Sequence, residues 1–283
     1  MIDITVAIPT RNEEKNIRQC LENLSGFREV ILIDSGSTDA TVRIADEFQV
    51  KILKFKWDGK FPKKRNWLLR TYKFTTEWVL FLDADEVLTP EFKKAVVPAV
   101  EAQDTVGYWL NYADHFQGKL LRFGLPMKKL ALFKVGAGEF ERIDEQEWSS
   151  LDMEVHEHPV LSGKTGEIKE PLVHYDCKGL YQYIGRHNDY SSWEARRYFE
   201  VENRKAGYLT TRQRIKYRLL NTLWFAPGYF LFVYILRFGF LDGREGFHFA
   251  VHKAYYFFSI LCKIREIERS HKLCFRSENP EDR

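Results

Sequence analysis

The first hundred residues alternate short apolar runs with helical patterns, and this rhythm constrains the fold more than any other feature of the chain. Apolar runs at Ile4 to Ile8, Val30 to Ile33, Val50 to Phe55 and Trp78 to Leu82 are separated by helix-like stretches. These stretches run from Glu13 to Leu24, Thr38 to Phe48, Pro62 to Tyr72 and Pro90 to Val100. Strand and helix in regular alternation predict an α/β fold with a mostly parallel sheet flanked by helices. Thr89, ahead of Pro90 and Glu91, suits an N-cap, because its hydroxyl can accept an orphan N–H and proline is tolerated at the first helical position. Ligands of such sheets bind beyond the carboxyl ends of the strands. Three polar strand exits then share one crevice: Pro9 to Glu13, Asp34 to Asp39, and Asp83 to Glu86.

From Thr105 to His174 the periodicity is mixed, with strand-like pieces at Val106 to Leu110, Leu130 to Lys134 and Ile168 to His174. We read residues 1–104 and 105–177 as two halves of one domain reaching to about residue 200. Lys178 to Arg204 reads as a long amphipathic helix, part of a connecting segment 178–218, and residues 219–283 form a separate C-terminal region.

The chain has 43 Lys plus Arg against 40 Asp plus Glu, a formal charge of +3, too small to argue for nucleic acid. Cys20, Cys177, Cys262 and Cys274 have neither CxxC spacing nor a neighbouring histidine cluster. A disulfide scaffold and a structural zinc are both disfavoured, and a reducing cytosol fits best. The opening MIDITVAIPT has no basic segment followed by an apolar one, so export by a cleaved signal is not expected.

Three constellations carry chemistry. In WVLFLDADE an apolar strand delivers Asp83, Asp85 and Glu86 to its end, and carboxylates one residue apart on an extended chain point the same way. They suit Mg²⁺ or Mn²⁺, which take one or two carboxylates and complete their coordination with water and phosphate oxygens. VAIPTRNEE and VILIDSGSTDAT form the second constellation, in which Ser35, Gly36, Ser37 and Thr38 let the backbone close around a ligand between Asp34 and Asp39. Two readings fit Asp39, ligand contact and helix cap, whereas Asp34 at the strand tip has no capping use. The absence of a Gly-x-x-x-x-Gly-Lys-Ser/Thr run excludes a P-loop. The third is LDMEVHEHP, where Glu154 and Glu157 are candidate general bases.

PTRNEE, IDSGSTDAT, KKRNWLL and FLDADE, in this order and spacing, resemble the nucleotide-sugar-binding half of inverting family 2 glycosyltransferases of the GT-A fold. The resemblance is close over residues 1–110, looser to about 260, and strongest to bacterial enzymes of lipopolysaccharide core and exopolysaccharide assembly. It implies that Pro9, Thr10 and Glu13 line the nucleotide pocket, that Asp34 accepts from the base, that Asp83 faces the ribose, and that Asp85 ligates the metal. Ser35, Asp39, Lys64 and Asn66 are counted in the same nucleotide site. Lys63, Lys64 and Arg65 fit either the pyrophosphate charge or a solvated basic helix face. The resemblance favours Glu157 as base with His156 beside it, although the wider family has Asp at this point, so Glu154 and Glu157 both stand. His174 can complete the metal site, and His187 is a weaker candidate.

The expected activity is transfer, with inversion and a divalent metal (Mn²⁺ or Mg²⁺), from a nucleotide-sugar donor, a UDP-sugar by preference. The acceptor is a lipid-linked or lipopolysaccharide-type glycan. A nucleotidyltransferase is the alternative enzyme, though its Gly-rich N-terminal loop is missing, and a non-catalytic glycan-binding scaffold is the rival from another class. Arg204, Lys205, Arg212, Arg214, Lys216 and Arg218 fall in a stretch without acidic residues that leads into LLNTLWFAPGYFLFVYIL. At about 1.5 Å per residue, Leu219 to Leu236 would reach roughly 27 Å, short of a ~30 Å hydrocarbon core, and Pro227 and Gly228 interrupt it. With the apolar run Phe247 to Cys262, this predicts two interfacial helices holding the enzyme peripherally on the cytoplasmic face of an anionic membrane, with no nucleic-acid partner.

Overall fold

The structure, a computed structural model, describes residues 1–143, 152, 158–203, 209 and 211–278. It falls into two compact units, Met1–Arg122 with Pro126–Lys178, and Phe123–Leu125 with the chain from Gly179 onward.

The first unit opens with β1 (Ile2–Thr10), α1 (Ile17–Glu22), β2 (Phe27–Asp34), α2 (Thr41–Glu47), β3 (Lys51–Lys54), α3 (Lys64–Thr71) and β4 (Trp78–Phe81). There follow β5 (Glu86–Val87), α4 (Pro90–Glu101), β6 (Gly107–Phe116), β7 (Lys119–Leu120), β8 (Lys128–Lys134), β9 (Gly138–Phe140), β10 (Pro159–Leu161) and β11 (Thr165–His174). Among the described residues the main sheet runs β3-β2-β1-β4-β8-β6-β11-β5, with β7 beside β6. The β3, β2, β1 and β4 strands pair in parallel, and β6 pairs in parallel with β11, while β8 and β5 run antiparallel to their neighbours.

Both faces of the sheet are covered, so β1 reads as a continuous apolar run, buried from Ile4 to Thr10. Its side chains alternate between two cores. Ile4, Val6 and Ile8 pack with Ile17, Cys20 and Leu21 of α1 and Phe92 and Val96 of α4, whereas Ala7 packs with Ile31, Ile33, Leu68, Val79, Phe81, Phe133 and Phe140. The α4 helix starts as its sequence requires, with Thr89 Oγ1 accepting the N–H of Phe92 at 3.1 Å and Pro90 in the first turn.

In the second unit α5 (Leu180–Asn203) and α6 (Thr211–Leu220) precede α7 (Phe225–Leu231), which runs into a π-helical turn, Phe232–Leu236, and a 3₁₀ turn, Gly239–Asp242. The long α8 (Gly243–Glu278) closes the chain. Ala195, Leu209, Tyr217, Leu220, Tyr256, Ile260 and Ile264 form the core of this unit. The helix α5 packs against α8. Lys216 Nζ donates to the fully buried Glu194 at 2.7 Å, and Lys263 Nζ donates to Asn188, Ser191 and Ser192 at 2.7–2.8 Å. Among the described residues no single helix is long and apolar enough to cross a membrane, but Phe225–Leu236 and Gly239–Ser270, bent by 71°, pass that test together.

Candidate active site at the strand exits

The parallel pairing of β2, β1 and β4 brings their polar exits to one edge, with Thr10 beside Asp34 in register and Ala7 beside Phe81. Side chains then stitch the exits together. Glu13 N–H donates to Thr41 Oγ1 at 2.7 Å, Asn12 N–H to Ser37 Oγ at 2.9 Å, and Glu14 N–H to Asp39 Oδ2 at 3.1 Å. Pro9 and Thr10 are buried at the end of β1, and Ser35 Oγ donates to Thr10 O at 3.2 Å.

Asp34 has a local use that its position on the strand tip did not reveal. Its carboxylate accepts from Gly36 N–H at 3.0 Å, from Ser37 N–H at 3.1 Å and from Ser37 Oγ at 2.5 Å, folding the loop back on the strand end. Gly36 supplies the left-handed backbone this turn needs, at φ 84°. Ser37 N–H also lies 3.2 Å from the other carboxylate oxygen, so each oxygen of Asp34 accepts two contacts from its own loop. Asp39 serves the helix start: it accepts from Thr41 N–H at 3.0 Å and Thr41 Oγ1 at 2.5 Å, though the cap position itself is Ala40.

The basic cluster is no solvated face. Lys64 is fully buried, and its Nζ donates to Thr10 O at 3.0 Å and lies 3.5 Å from Asp152. Burial lowers its pKa against the pull of Asp152. Arg65 donates to Asp83 at 2.7 Å. Asn66, counted with the nucleotide site, also ties down β9: its Nδ2 donates to Phe140 O at 3.0 Å and its Oδ1 accepts from Phe140 N–H at 2.9 Å.

The DADE segment is a turn rather than an extended chain, closed by Glu86 N–H on Asp83 O at 3.0 Å and by Asp83 N–H on Glu86 Oε2 at 3.0 Å. Asp83 and Asp85 therefore take separate partners. Besides Arg65, Asp83 binds Lys129 of β8 at 2.6 Å, and the same ammonium reaches Glu86. Burial would raise Asp83, but Lys129 and Arg65 hold it below the ordinary carboxylate range, while burial pushes Glu86 up to about 7 despite Lys129.

Asp85 Oδ2 lies 3.4 Å from His174 Nε2, and His174 Nδ1 donates to Asp114 Oδ1 at 2.9 Å. This alignment comes from the sheet, since the last residue of β11 is in register with Asp114 of β6 on one side and Glu86 of β5 on the other. Burial alone would lower the imidazole pKa, but hydrogen bonds to Asp114 and Asp85 raise it to about 10. Nearby, Glu13 accepts from Lys178 Nζ at 2.6 Å and Asn16 Nδ2 at 3.0 Å, with burial raising its pKa. The weaker histidine candidate has a different setting: His187 Nδ1 donates to Tyr183 O at 2.9 Å within α5, its ring against Tyr183 and Tyr256.

A divalent metal held by Asp85 and His174 would take the place of the Nε2 proton that the ring shares with Asp85 in the metal-free state. Neighbouring ligands of an octahedral ion with bonds near 2.1 Å stand about 3 Å apart, close to the carboxylate–imidazole separation. Asp114 fixes the ring with Nε2 toward Asp85, as carboxylates commonly do behind metal-binding histidines. No group of three or more His, Cys, Asp or Glu side chains able to cage an ion occurs among the described residues, so substrate and water would supply the remaining ligands. Glu154, His156 and Glu157 lie outside the described residues. Asp114 and Lys129 were not legible as site residues in the sequence, where each is one charge in or beside an apolar strand run.

Residues 5–146 match the model of the glycosyl transferase family 2. A lipopolysaccharide core biosynthesis glycosyltransferase of Rhizobium meliloti is 26% identical over 89% of this chain and 88% of its own length. An uncharacterised glycosyltransferase of Rickettsia felis is also 26% identical, over 98% of this chain and 95% of its own. Among solved structures, a mannosyltransferase from Pyrobaculum calidifontis in complex with GDP-Man and Mn²⁺ covers 93% of this chain and 86% of its own at 15% identity and a TM-score of 0.51, a likeness of fold alone. With the strand order, the exit loops and the family match in agreement, the chain has the GT-A fold and belongs to glycosyl transferase family 2.

Proposed function

We propose that the chain transfers a sugar, with inversion, from a UDP-sugar to a lipid-linked or lipopolysaccharide-type glycan, using a divalent metal held by Asp85 and His174. The observation that carries this reading is the Asp85–His174–Asp114 alignment at the mouth of the three strand exits. The bound Mn²⁺ and GDP-Man of the Pyrobaculum mannosyltransferase support the metal and a nucleotide-sugar donor. The Rhizobium relative, named for lipopolysaccharide core biosynthesis, supports the glycan acceptor.

Bound there, the metal would offset diphosphate charge as the leaving group departs. The chain's own groups do the rest. Thr10, Glu13 and the Asp34–Ser37 loop border the donor pocket. Arg65 and Lys129 fix Asp83 at the turn, and Asp114 holds the His174 ring. In a single displacement the acceptor oxygen bonds to the anomeric carbon as the bond from that carbon to the diphosphate oxygen breaks. The electron pair leaves with the diphosphate, and the acceptor proton passes to a carboxylate, Glu157 with Glu154 as the alternative.

The test incubates the full chain with UDP-, GDP-, ADP- and CMP-sugars, glycan acceptors and Mn²⁺, and follows nucleotide release and product anomer. Release of UDP with an inverted product is expected, and Asp85→Asn should cut turnover more than tenfold, about 1.4 kcal/mol of barrier or more. Pyrophosphate formed from a nucleoside triphosphate and a sugar phosphate would make the chain a nucleotidyltransferase instead.

A further inference from the structure

We infer that the unit from Gly179 onward docks on an anionic phospholipid surface by burying an aromatic face of α7, the turns after it and α8 in a single leaflet. This goes beyond the transfer reaction and does not depend on which donor or acceptor is used.

The first observation is that α8 is apolar on two sides and packed on one. Ala250, Tyr256, Ile260 and Ile264 are buried within the unit. Phe247, Val251, Tyr255, Phe258 and Cys262 are exposed at spacings of three and four residues, which places them on one stripe. At about 1.5 Å per residue the stripe is roughly 22 Å long. Its continuation carries Arg265, Glu266 and Arg269, all exposed, so the apolar face has a definite end. A helix that is hydrophobic all round is ordinarily buried all round.

The segment before α8 extends this face. Trp224 is 80% exposed and Leu236 66%, and Leu223, Leu231, Phe232, Ile235, Phe238, Phe240 and Leu241 are exposed with them. Ring contacts join the two parts: Tyr234 meets Phe247 at 5.6 Å and Phe240 at 6.3 Å between centroids, and Phe238 meets Phe240 at 6.2 Å. A monomer seldom leaves so continuous an aromatic and aliphatic run in water.

Charge identifies the occupant. From residue 204 to residue 245 the sequence has eight basic residues (Arg204, Lys205, Arg212, Arg214, Lys216, Arg218, Arg237 and Arg244), of which Lys216 is paired with Glu194, and two acidic ones, Asp242 and Glu245. Asp242 is buried and accepts from Phe123 N–H at 2.9 Å. Arg214, Arg218, Arg237 and Arg244 are exposed, and Ile215 and Leu219 of α6 are exposed beside the first two. Anionic headgroups match such a border at about 1 kcal/mol per cation near the surface. A second copy would bring the same cations against it, and like charges facing each other oppose association. The 71° bend, and a long helix whose other side is committed to protein, describe a structure lying in the interface rather than spanning the bilayer. Exposed Trp224 and Tyr255 suit the headgroup level.

The full-length chain, without detergent, is floated with phosphatidylcholine vesicles and with vesicles that also contain phosphatidylglycerol. Wild type should float with the anionic vesicles. Arg214→Gln, Arg218→Gln and Arg244→Gln together should weaken that binding by up to about a hundredfold, leaving the weaker binding to neutral vesicles unchanged. Trp224→Ser, Leu236→Ser and Phe258→Ser together should weaken binding to both vesicle types at least tenfold, with unchanged melting because all three side chains are exposed. About 1 M NaCl should remove the preference for anionic lipid but leave the apolar component. Quenching of tryptophan fluorescence by bromine-labelled acyl chains, reduced in Trp224→Phe, reads the same insertion without a disruptive variant. Wild type that stays unfloated with anionic vesicles at low salt overturns the inference. So does a dimer in analytical ultracentrifugation that ignores vesicles and that the apolar variant dissolves.

Discussion

Asn66 separates two explanations of the same residue, since the sequence pattern puts it in the nucleotide site and the structure bonds both its amide nitrogen and its amide oxygen to Phe140. In Asn66→Ala the Phe140 N–H and C=O lose partners at 2.9 and 3.0 Å in a place where neither Asn66 nor Phe140 has appreciable access to water. A buried neutral group left without a partner costs about 1–3 kcal/mol, so two such groups give about 2–6 kcal/mol before any relaxation. Phe140 also packs on Phe81 at 5.3 Å and under the Arg65 guanidinium at 5.3 Å, which resists its moving to find new partners. We expect a loss of about 3 kcal/mol, or roughly 6–12 °C in the melting temperature of a unit this size. Scanning calorimetry reads the stability, and a titration with UDP-sugar and Mn²⁺ reads the site, which should stay within about threefold of wild type below the transition. Asn66→Asp is the companion variant: it keeps the acceptor for Phe140 N–H but turns a second oxygen on the Phe140 carbonyl, so it should also destabilise. A melting temperature within about 2 °C of wild type, combined with a tenfold loss of donor affinity, would refute the argument and return Asn66 to the nucleotide.

The other expectations concern the metal edge, the base and the cap. Asp114→Ala should weaken the apparent Mn²⁺ affinity in donor binding by about 10- to 100-fold, because the His174 ring loses the group that orients it; an unchanged Mn²⁺ titration would detach Asp114 from the site. Glu157→Gln should lower turnover by about 10²- to 10⁴-fold with donor binding preserved, and if Glu154→Gln is the inactive variant instead, the base is Glu154. Thr89→Ala should cost about 1 kcal/mol, since it removes the hydroxyl that caps α4 through Phe92 and also donates to Pro171 O at 3.1 Å. Calorimetry that shows no shift would remove the cap from the stability of this unit.

Local pattern determined a good deal of this protein. The alternation of apolar runs and helices locates β1 to β4 and α1 to α4, because each run has the length and period of its own element and needs no distant information. The Thr89 cap is legible for the same reason, as donor and acceptor lie three residues apart. Family 2 membership also follows from the sequence, since the exit loops carry their residue types in a fixed order. The site itself required the tertiary structure. His174 meets Asp85, and Asp114 stands behind it, only because β11 inserts between β6 and β5 in a particular register, a pairing across sixty residues that no local periodicity encodes. Lys129 finds Asp83 and Glu86 across a crossover of the same sheet. Asp34 and Asn66 show the complementary limit: a short polar side chain is equally suited to a ligand or to neighbouring backbone, and the positions of Gly36, Ser37 and Phe140 decide which hydrogen bonds are made.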